Sequence, residues 1–411
     1  MKYLIEILLL LLLIQNIYAE EEIEFSDVLS ASLVNLNSRF KDQNYKDFSP
    51  AWFDDIEIRT ETHDFELRQQ EYSLRFSPVS VWVRAAQQDF YESKLSLYDN
   101  DKQKIIADNI KILYENWLSL VIGQEIISIS DSLKLIYEDE EIVRKRLLNM
   151  ATENVDRFID FREKKNDMTI DHLTFQREFA IIKNDLLSQI SIDTNIRINS
   201  NLIDLEIIRK VIVDFKQHSI YIKSFEYMGL QIEKKLVNNE LKIEEAENTK
   251  ILDFLQLSYR GPHDDPMNER LNMTMALRLP LAGRNKMKTE LLRVEELEMQ
   301  NKIKAEEQEF IFNMNEIMTN IAVLFGEYDV MKEYSDELLE ESGFLGKNLG
   351  TPANSPFWLI SNKKNLLKTK LKLLEISKEI YFEYIDLLDA IGVFALEPGI
   401  NYLEVLPDLR N

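Results

Sequence analysis

The fold is decided by residues 271–280, which read Leu-Asn-Met-Thr-Met-Ala-Leu-Arg-Leu-Pro. In this stretch apolar residues alternate with polar or small ones. One face would carry Leu271, Met273, Met275, Leu277 and Leu279, and the other Asn272, Thr274, Ala276 and Arg278. Period-two alternation is typical of a β-strand with one apolar face. About ten residues is also the length of a tilted strand that crosses a bilayer.

The same pattern occurs earlier in the chain, where residues 72–78 read Tyr-Ser-Leu-Arg-Phe-Ser-Pro. Aligning residues 74–78 with 276–280 brings Pro78 onto Pro280, 202 residues later. Each proline precedes a helical pattern of roughly sixty residues or more, with apolar residues at spacings of three and four. Duplication on this scale indicates a fold that is built from two similar halves.

The patterns divide the chain into a leader, two repeats and a tail. Residues 1–19 have a charged start, an apolar run and a small residue at the expected cut, as in a secretory signal peptide. The first repeat, 20–250, contains a short helix, a strand hairpin at about 51–78 and a helix pair at about 83–248 that turns at 164–169. The second repeat, 251–393, contains a hairpin at about 251–280 and a helix pair at about 284–392. Residues 394–411 are expected to form a surface tail.

Long helices dominate this prediction, which is therefore mostly α with a small β part. The whole chain has only 10 glycines and 9 prolines, so long uninterrupted elements are expected. At 1.5 Å per residue, a helix of sixty to eighty residues is about 90–120 Å long. Such rods must pack side by side as an antiparallel bundle or coiled coil.

Composition excludes several classes of protein. With no cysteine, the chain has no disulfide, no lipoprotein anchor and no thiolate metal site. Its net charge of −23 repels nucleic acid. After the leader, no stretch reaches the roughly 18 apolar residues of a membrane helix. Entry into a membrane would therefore require strands in a closed barrel, since open backbone edges are not tolerated in lipid.

No motif for catalysis, cofactor binding or metal binding is present, so the sequence does not indicate an enzyme. The four histidines are far apart and are expected to be solvated: His63, His172, His218 and His263.

Three stretches carry a resemblance to a known family. Residues 277–285, Leu-Arg-Leu-Pro-Leu-Ala-Gly-Arg-Asn, resemble the junction between strand and long helix in TolC-like outer-membrane efflux proteins. Residues 166–173 resemble the turn between paired helices at the periplasmic tip in that family. Residues 384–392 resemble its closing helix.

The resemblance implies an architecture and a function. Three chains with four strands each would form a trimeric 12-stranded outer-membrane β-barrel, continued by a periplasmic α-helical tunnel. The homotrimer would be the exit duct of a tripartite efflux or secretion system and would pass small molecules or peptides. Its partners would be outer-membrane lipid, a periplasmic adaptor (membrane fusion) protein and an inner-membrane pump. The alternative is a periplasmic coiled-coil scaffolding protein that has lost a competent barrel, because the apolar face of the first hairpin is sparse.

Candidate site residues follow from this arrangement. At the predicted tip, Asp167 and Asp171 could form a ring of carboxylates that gates the duct and favours cations, or could simply cap a helix. Two turns could dock the adaptor, or could only reverse the helices: Asn166, Met168 and Thr169 in the first, and Gly350, Thr351 and Pro352 in the second. Residues at the strand–helix junctions could line the lumen or have a structural role: Arg75, Pro78, Arg278, Pro280 and Gly283.

Overall fold

The computed structural model describes residues 21–40, 48–62, 70–150, 154–190, 196–198, 201–217, 224–261, 266, 270–278, 286–347 and 356–404. The helices are α1 (Phe25–Arg39), α2 (Val81–Asn149), α3 (Val155–Ile190), α4 (Leu205–Gln217), α5 (Phe225–Asn248), α6 (Lys286–Lys347), α7 (Pro356–Ala390) and α8 (Val393–Leu396). The strands are β1 (Glu21–Ile23), β2 (Phe53–Thr62), β3 (Gln70–Pro78), β4 (Ile196–Ile198), β5 (Leu252–Arg260) and β6 (Leu271–Leu277). The protein is mostly helical, with a small antiparallel sheet.

The sheet has the strand order β2-β3-β5-β6, and every neighbouring pair is antiparallel. The hairpins β2–β3 and β5–β6 thus come from the two halves of the chain and join along β3 and β5. A separate short pair, β1 with β4, is parallel. Within the hairpin predicted at about 251–280, the first strand is Leu252–Arg260, and the stretch 271–280 is a strand as far as Leu277.

Within the long helix α2, apolar residues three and four positions apart are buried: Ile110, Leu113, Tyr114, Trp117, Leu120 and Val121. This stripe packs against other elements, while the opposite side of the helix carries charged residues. The hydrophobic period of the sequence therefore produces the helix and decides which side is covered.

The chain divides into two compact units, and each takes segments from both halves of the sequence. The unit that we call the helical unit comprises Met1–Lys41, Ile105–Tyr221 and Ile311–Asn411. The unit that we call the sheet unit comprises Asp42–Lys104 and Ile222–Phe310, and it contains β2, β3, β5 and β6. The two units are defined by contacts in space and do not coincide with the predicted repeats. The repeat boundaries at 20–250 and 251–393 therefore stay a prediction.

An aromatic cluster forms part of the core of the helical unit and corrects the prediction for the end of the chain. The ring of Phe25 lies 4.6 Å from that of Tyr114, which in turn lies 4.8 Å from Phe394. Phe394, Tyr402 and Leu403 are buried. The prediction of a surface tail is therefore wrong for Phe394, Tyr402 and Leu403, because these side chains complete the core, while Leu396 and Ile400 between them are exposed.

The turn predicted at 164–169 is also wrong. These residues lie inside α3, and the chain instead leaves the helix after Asn149 and re-enters it at Val155. The side chain of Asn154 accepts a hydrogen bond from the backbone N–H of Asp156 at 2.9 Å, as an N-cap does. Since α3 contains no glycine or proline, no residue in the polar run at 164–169 breaks the helix.

Helix bounds also differ from the prediction elsewhere. The second helix of the first pair ends at Ile190, and α4 and α5 are separate helices. The last long helix, α7, ends at Ala390, close to the predicted bound of about 392, and Gly392 follows it in the left-handed conformation with φ of 74°. Glycine is favoured there because a Cβ would clash in this conformation.

None of the helices in the described part of the chain combines the length and the apolar character needed to cross a membrane.

Candidate functional site

The four-stranded sheet has one apolar face, which is formed by rows of residues from all its strands. The register aligns three rows across the sheet: Ile56, Phe76, Leu255 and Met275; Ile58, Leu74, Leu257 and Met273; and Thr60, Tyr72, Tyr259 and Leu271. Within this face Ile58 is 78% exposed and Met273 is 70% exposed. Neighbours on one face of a sheet normally pack together under a covering layer. These rows form a continuous apolar surface that is largely exposed.

The opposite face of the sheet is polar. Its rows are Glu57, Arg75, Gln256 and Thr274, and Arg59, Ser73, Ser258 and Asn272. Its charges are largely paired, since Arg59 donates to Glu57 at 2.7 Å and Arg260 lies 3.6 Å from Glu71. The sheet is therefore amphipathic: the polar face suits water and the apolar face suits a non-aqueous neighbour.

Strands β2 and β6 are the edges of this sheet. In the described part of the chain each pairs on one side only, so the other side presents backbone N–H and C=O groups. Such edges invite pairing with another strand. Because the sheet has four strands in alternating directions, β6 of one copy and β2 of the next would run antiparallel.

The strand–helix junctions place both predicted arginines against β5. The guanidinium of Arg75 lies 3.6 Å from the ring centroid of Phe254. Arg278 follows β6 directly, donates to the Asp253 carboxylate at 2.7 Å, and bonds the Ile251 carbonyl through its backbone N–H. Pro78 is the last residue of β3, three positions before α2 begins. Pro280 and Gly283 lie outside the described residues, and the roles of all five stay a proposal.

Comparisons with known proteins identify the fold. No family model matches the chain, and no curated protein matches its sequence. Solved structures do match. CusC is 10% identical, with 91% of this chain and 93% of that chain covered and a TM-score of 0.63. The outer membrane protein VceC of Vibrio cholerae is 11% identical, with 89% and 91% covered and a TM-score of 0.58. The open state of the MtrE outer membrane channel of Neisseria gonorrhoeae is 11% identical, with 89% and 86% covered and a TM-score of 0.58.

The chain has the TolC-like fold. At this level of identity the similarity establishes the arrangement of helices and strands. The function of this protein is therefore argued from its own residues.

In this TolC-like chain, the residues predicted to gate the tip are not at a turn. Asp167 and Asp171 are exposed within α3, more than two turns after the helix begins. Asn166 and Thr169 are helical too, and Thr169 donates its hydroxyl to the Lys165 carbonyl at 2.8 Å. The prediction of a turn at these residues is wrong, because a run of polar residues within a helix was interpreted as a turn.

Met168, the apolar residue of the first predicted docking turn, has a structural role. Met168 is buried in a cluster with Leu133, Tyr137 and Phe161, which joins α2 to α3. Burial of this side chain does not fit an exposed docking turn. Gly350, Thr351 and Pro352 lie outside the described residues.

The expectation that the histidines are solvated is wrong for His172. Its side chain is 3% exposed and lies between α3 and α2, with Nδ1 3.0 Å from the Ser130 hydroxyl and Nε2 3.4 Å from Asp131. The other histidines, His63, His218 and His263, lie outside the described residues. Across the described ranges, no group of three His, Asp or Glu side chains could hold a metal.

Sequence reasoning missed an ionic network beside the ends of α2 and α3. The Lys165 ammonium of α3 lies 2.5 Å from the Glu141 carboxylate of α2, which Lys145 also contacts at 2.7 Å. Hydrogen bonds from Lys145 and Lys165 lower the pKa of Glu141 to about 2. The i,i+4 spacing of Glu141 and Lys145 was a visible signal for the part within α2. The link to α3 needed the tertiary structure.

A third helix, α7, contacts this region through Glu140, the residue before Glu141. Glu140, which is 3% exposed, accepts hydrogen bonds from Lys364 of α7 at 2.8 Å and from Arg144 at 2.9 Å. The Lys364 ammonium also lies 4.8 Å from the Tyr137 ring centroid. The end of α2 is therefore held to both α3 and α7 by charges.

A half-buried lysine, Lys111, also joins α2 to α7. Lys111 lies 2.6 Å from Asp386 and 3.2 Å from Asp389. Burial alone would lower the pKa of Lys111, but hydrogen bonds and attraction from the two aspartates outweigh it and raise the pKa to about 12. Lys111 is therefore charged at any physiological pH and holds the two helices together.

Proposed function

We propose that the protein is the trimeric exit duct of a tripartite efflux or secretion system and passes small molecules or peptides across the outer membrane. The observation that carries this proposal is the amphipathic sheet, with its exposed apolar face and its two edge strands. A fold shared with outer-membrane channels supports it.

Trimerisation would satisfy both edges of the sheet. Strand β6 of each chain would pair with β2 of the next, and three sheets of four strands would close into a twelve-stranded barrel. Closure removes the open edges that lipid does not tolerate. The apolar rows would then face lipid, and the polar rows around Arg75 would face a water-filled lumen, as in other outer-membrane barrels.

The helices would lie in the periplasm, and their far ends would meet the other components. An adaptor would dock where helix pairs reverse, which for the first pair is between Asn149 and Val155 and for the second between Lys347 and Pro356. Gly350, Thr351 and Pro352 fall in the second of these segments. The inner-membrane pump would supply the energy, and the chain itself would catalyse no reaction.

The alternative of a periplasmic scaffold is not favoured. It rested on the sparse apolar face of the first hairpin. Ile56 and Ile58 of β2 extend two of the three rows that begin on β6, so the first hairpin contributes to the apolar face.

Oligomeric mass and conductance test the proposal. The purified protein should need detergent for extraction, should have the mass of a trimer by light scattering after correction for detergent, and should conduct ions in a planar bilayer. A water-soluble monomer that leaves the cell on osmotic shock would refute the duct.

Cross-linking tests the pairing of the edges directly, because the chain has no cysteine of its own. One cysteine replaces Arg59 in β2, and a second is moved through residues 271–277 of β6. At least one pair should give covalent dimers and trimers on oxidation. The matched control places cysteines at Leu74 and Leu257, which are partners within one chain and should cross-link only internally.

A further inference from the structure

A groove lies between three helices of the helical unit, and the proposed function assigns it no role. Its volume is about 280 Å³, and α2, α3 and α7 line it. Three aromatic rings form part of its wall: Phe175 and Phe179 from α3, and Phe382 from α7. Small-molecule sites combine such apolar walls with a few polar groups, and this volume lies just below their usual range of about 300–1,000 Å³.

Gly123 helps to set the position of the aromatic wall. It is the only glycine in α2, and a Cβ at this position would lie 3.3 Å from Cδ2 of Phe179. A glycine inside a helix costs about 1 kcal/mol relative to alanine. Here the missing side chain lets the Phe179 ring lie close to the α2 backbone.

The rim of the groove is acidic. Its lining carries three carboxylates, from Glu178, Glu375 and Glu379, and one ammonium, from Lys378. A second ammonium, from Lys372, lies 3.4 Å from Glu375 in an exposed pair, so carboxylates still outnumber ammonium groups. The Lys378 ammonium lies 5.3 Å from the centroid of the Phe382 ring. A cation of the protein itself thus already occupies a cation–π position at the edge of the groove. An excess of carboxylates beside aromatic faces complements a positive ligand and repels a negative one.

We propose that this groove binds organic cations that carry aromatic groups. The rings of the ligand would pack against Phe179 and Phe382, and its charge would lie near Glu375 and Glu379. The groove is open on one side, so a ligand larger than its volume would be held by part of its surface.

The test uses two probes of nearly equal size and opposite charge, tetraphenylphosphonium and tetraphenylborate. Their binding to the purified full-length protein is measured by equilibrium dialysis, with empty detergent micelles as the blank. We expect saturable binding of one phosphonium per chain, at least tenfold tighter than that of the borate. Equal or tighter binding of the borate would show hydrophobic partition only and would overturn the proposal.

Substitutions on the rim locate the site. The double variant Glu375→Gln/Glu379→Gln should weaken phosphonium binding at least threefold. Lys378→Gln should strengthen it about twofold, since it removes the positive charge that lines the groove. Glu337→Gln, an exposed position on α6, is the matched control and should leave binding unchanged. Phosphonium binding that neither rim variant alters would place the probe elsewhere and refute the groove.

A substitution in the wall completes the test. Phe179→Leu keeps an apolar side chain but removes the ring, and it should weaken binding at least threefold while circular dichroism shows unchanged helix content. Should this variant unfold, the rim variants decide the question, because their side chains lie at the surface. Dialysis does not depend on conductance, so loss of the duct and loss of the groove would be observed separately.

Discussion

Lys364 of α7 donates a hydrogen bond to the buried carboxylate of Glu140 in α2 at 2.8 Å. The two side chains are 17% and 4% exposed, so water screens their attraction weakly. This contact joins helices that are more than two hundred positions apart in the sequence. Removal of one partner from such a pair leaves an uncompensated charge, which costs more than the pair contributes when intact.

Lys364→Met should therefore destabilise the protein. Arg144 still neutralises part of the Glu140 charge, so we expect a loss of about 1.5–3 kcal/mol, which is typical of hydrogen bonds to charged groups. Thermal unfolding followed by circular dichroism measures it. Lys372→Met removes the lysine of an exposed pair with Glu375 and should cost less than about 0.5 kcal/mol. Equal effects of the two substitutions would contradict the role of burial.

The stability that Glu141 provides should depend on pH. Since the folded pKa of about 2 lies below the usual glutamate pKa of 4.5, this stability is fully present above about pH 4.5 and is lost as the pH falls through about 2. Glu141→Gln should lower the midpoint of thermal unfolding at pH 7, and its difference from the native protein should shrink toward zero near pH 2. A difference that stays constant between pH 7 and pH 2 would show that the two lysines do not hold the carboxylate. Glu138→Gln on the same helix serves as the control.

A charge on the apolar face of the sheet should impair insertion into lipid. Met273→Lys places an ammonium in the middle row of that face, and a lysine at the bilayer midplane costs about 2–4 kcal/mol. We expect less folded protein in the membrane fraction, together with lower stability toward urea in vesicles. Thr274→Lys, the next residue along β6, points to the polar face and should have little effect. The reverse order of the two effects would mean that the faces are assigned wrongly.

The hydroxyl of Tyr114 should hold the end of the chain in place. It donates to the Ile400 carbonyl at 2.6 Å and accepts a hydrogen bond from the Tyr402 backbone N–H at 3.0 Å. Tyr114→Phe leaves buried backbone groups unpaired, for which we expect a cost of about 1–3 kcal/mol. Hydrogen exchange should then show faster exchange at the Tyr402 amide. Tyr334→Phe, at an exposed position, provides the comparison, and protection at Tyr402 that survives in Tyr114→Phe would argue against this role.

The sequence by itself determined the elements that depend on local patterns. Alternation in 252–260 and 271–277 specifies strands because side chains of a strand point to opposite faces, and this holds whatever the strand pairs with. Apolar residues at spacings of three and four specify the long helices, because a helix has about 3.6 residues per turn and such residues share one side. Gly392 marks the end of α7 because it tolerates a positive φ that other residues rarely adopt.

Only the tertiary structure decided the features that join distant residues. Asn166–Thr169 looks like a turn but is helical, because Met168 finds a core with Leu133 and Tyr137 on the neighbouring helix. His172 and Tyr402 are buried for a similar reason: their partners, Ser130 and Tyr114, lie on another helix. The aromatic groove and the pairing of Lys364 with Glu140 likewise arise where α2 meets α7. A local pattern shows which side of a helix or strand is apolar, but only packing shows which neighbour covers it.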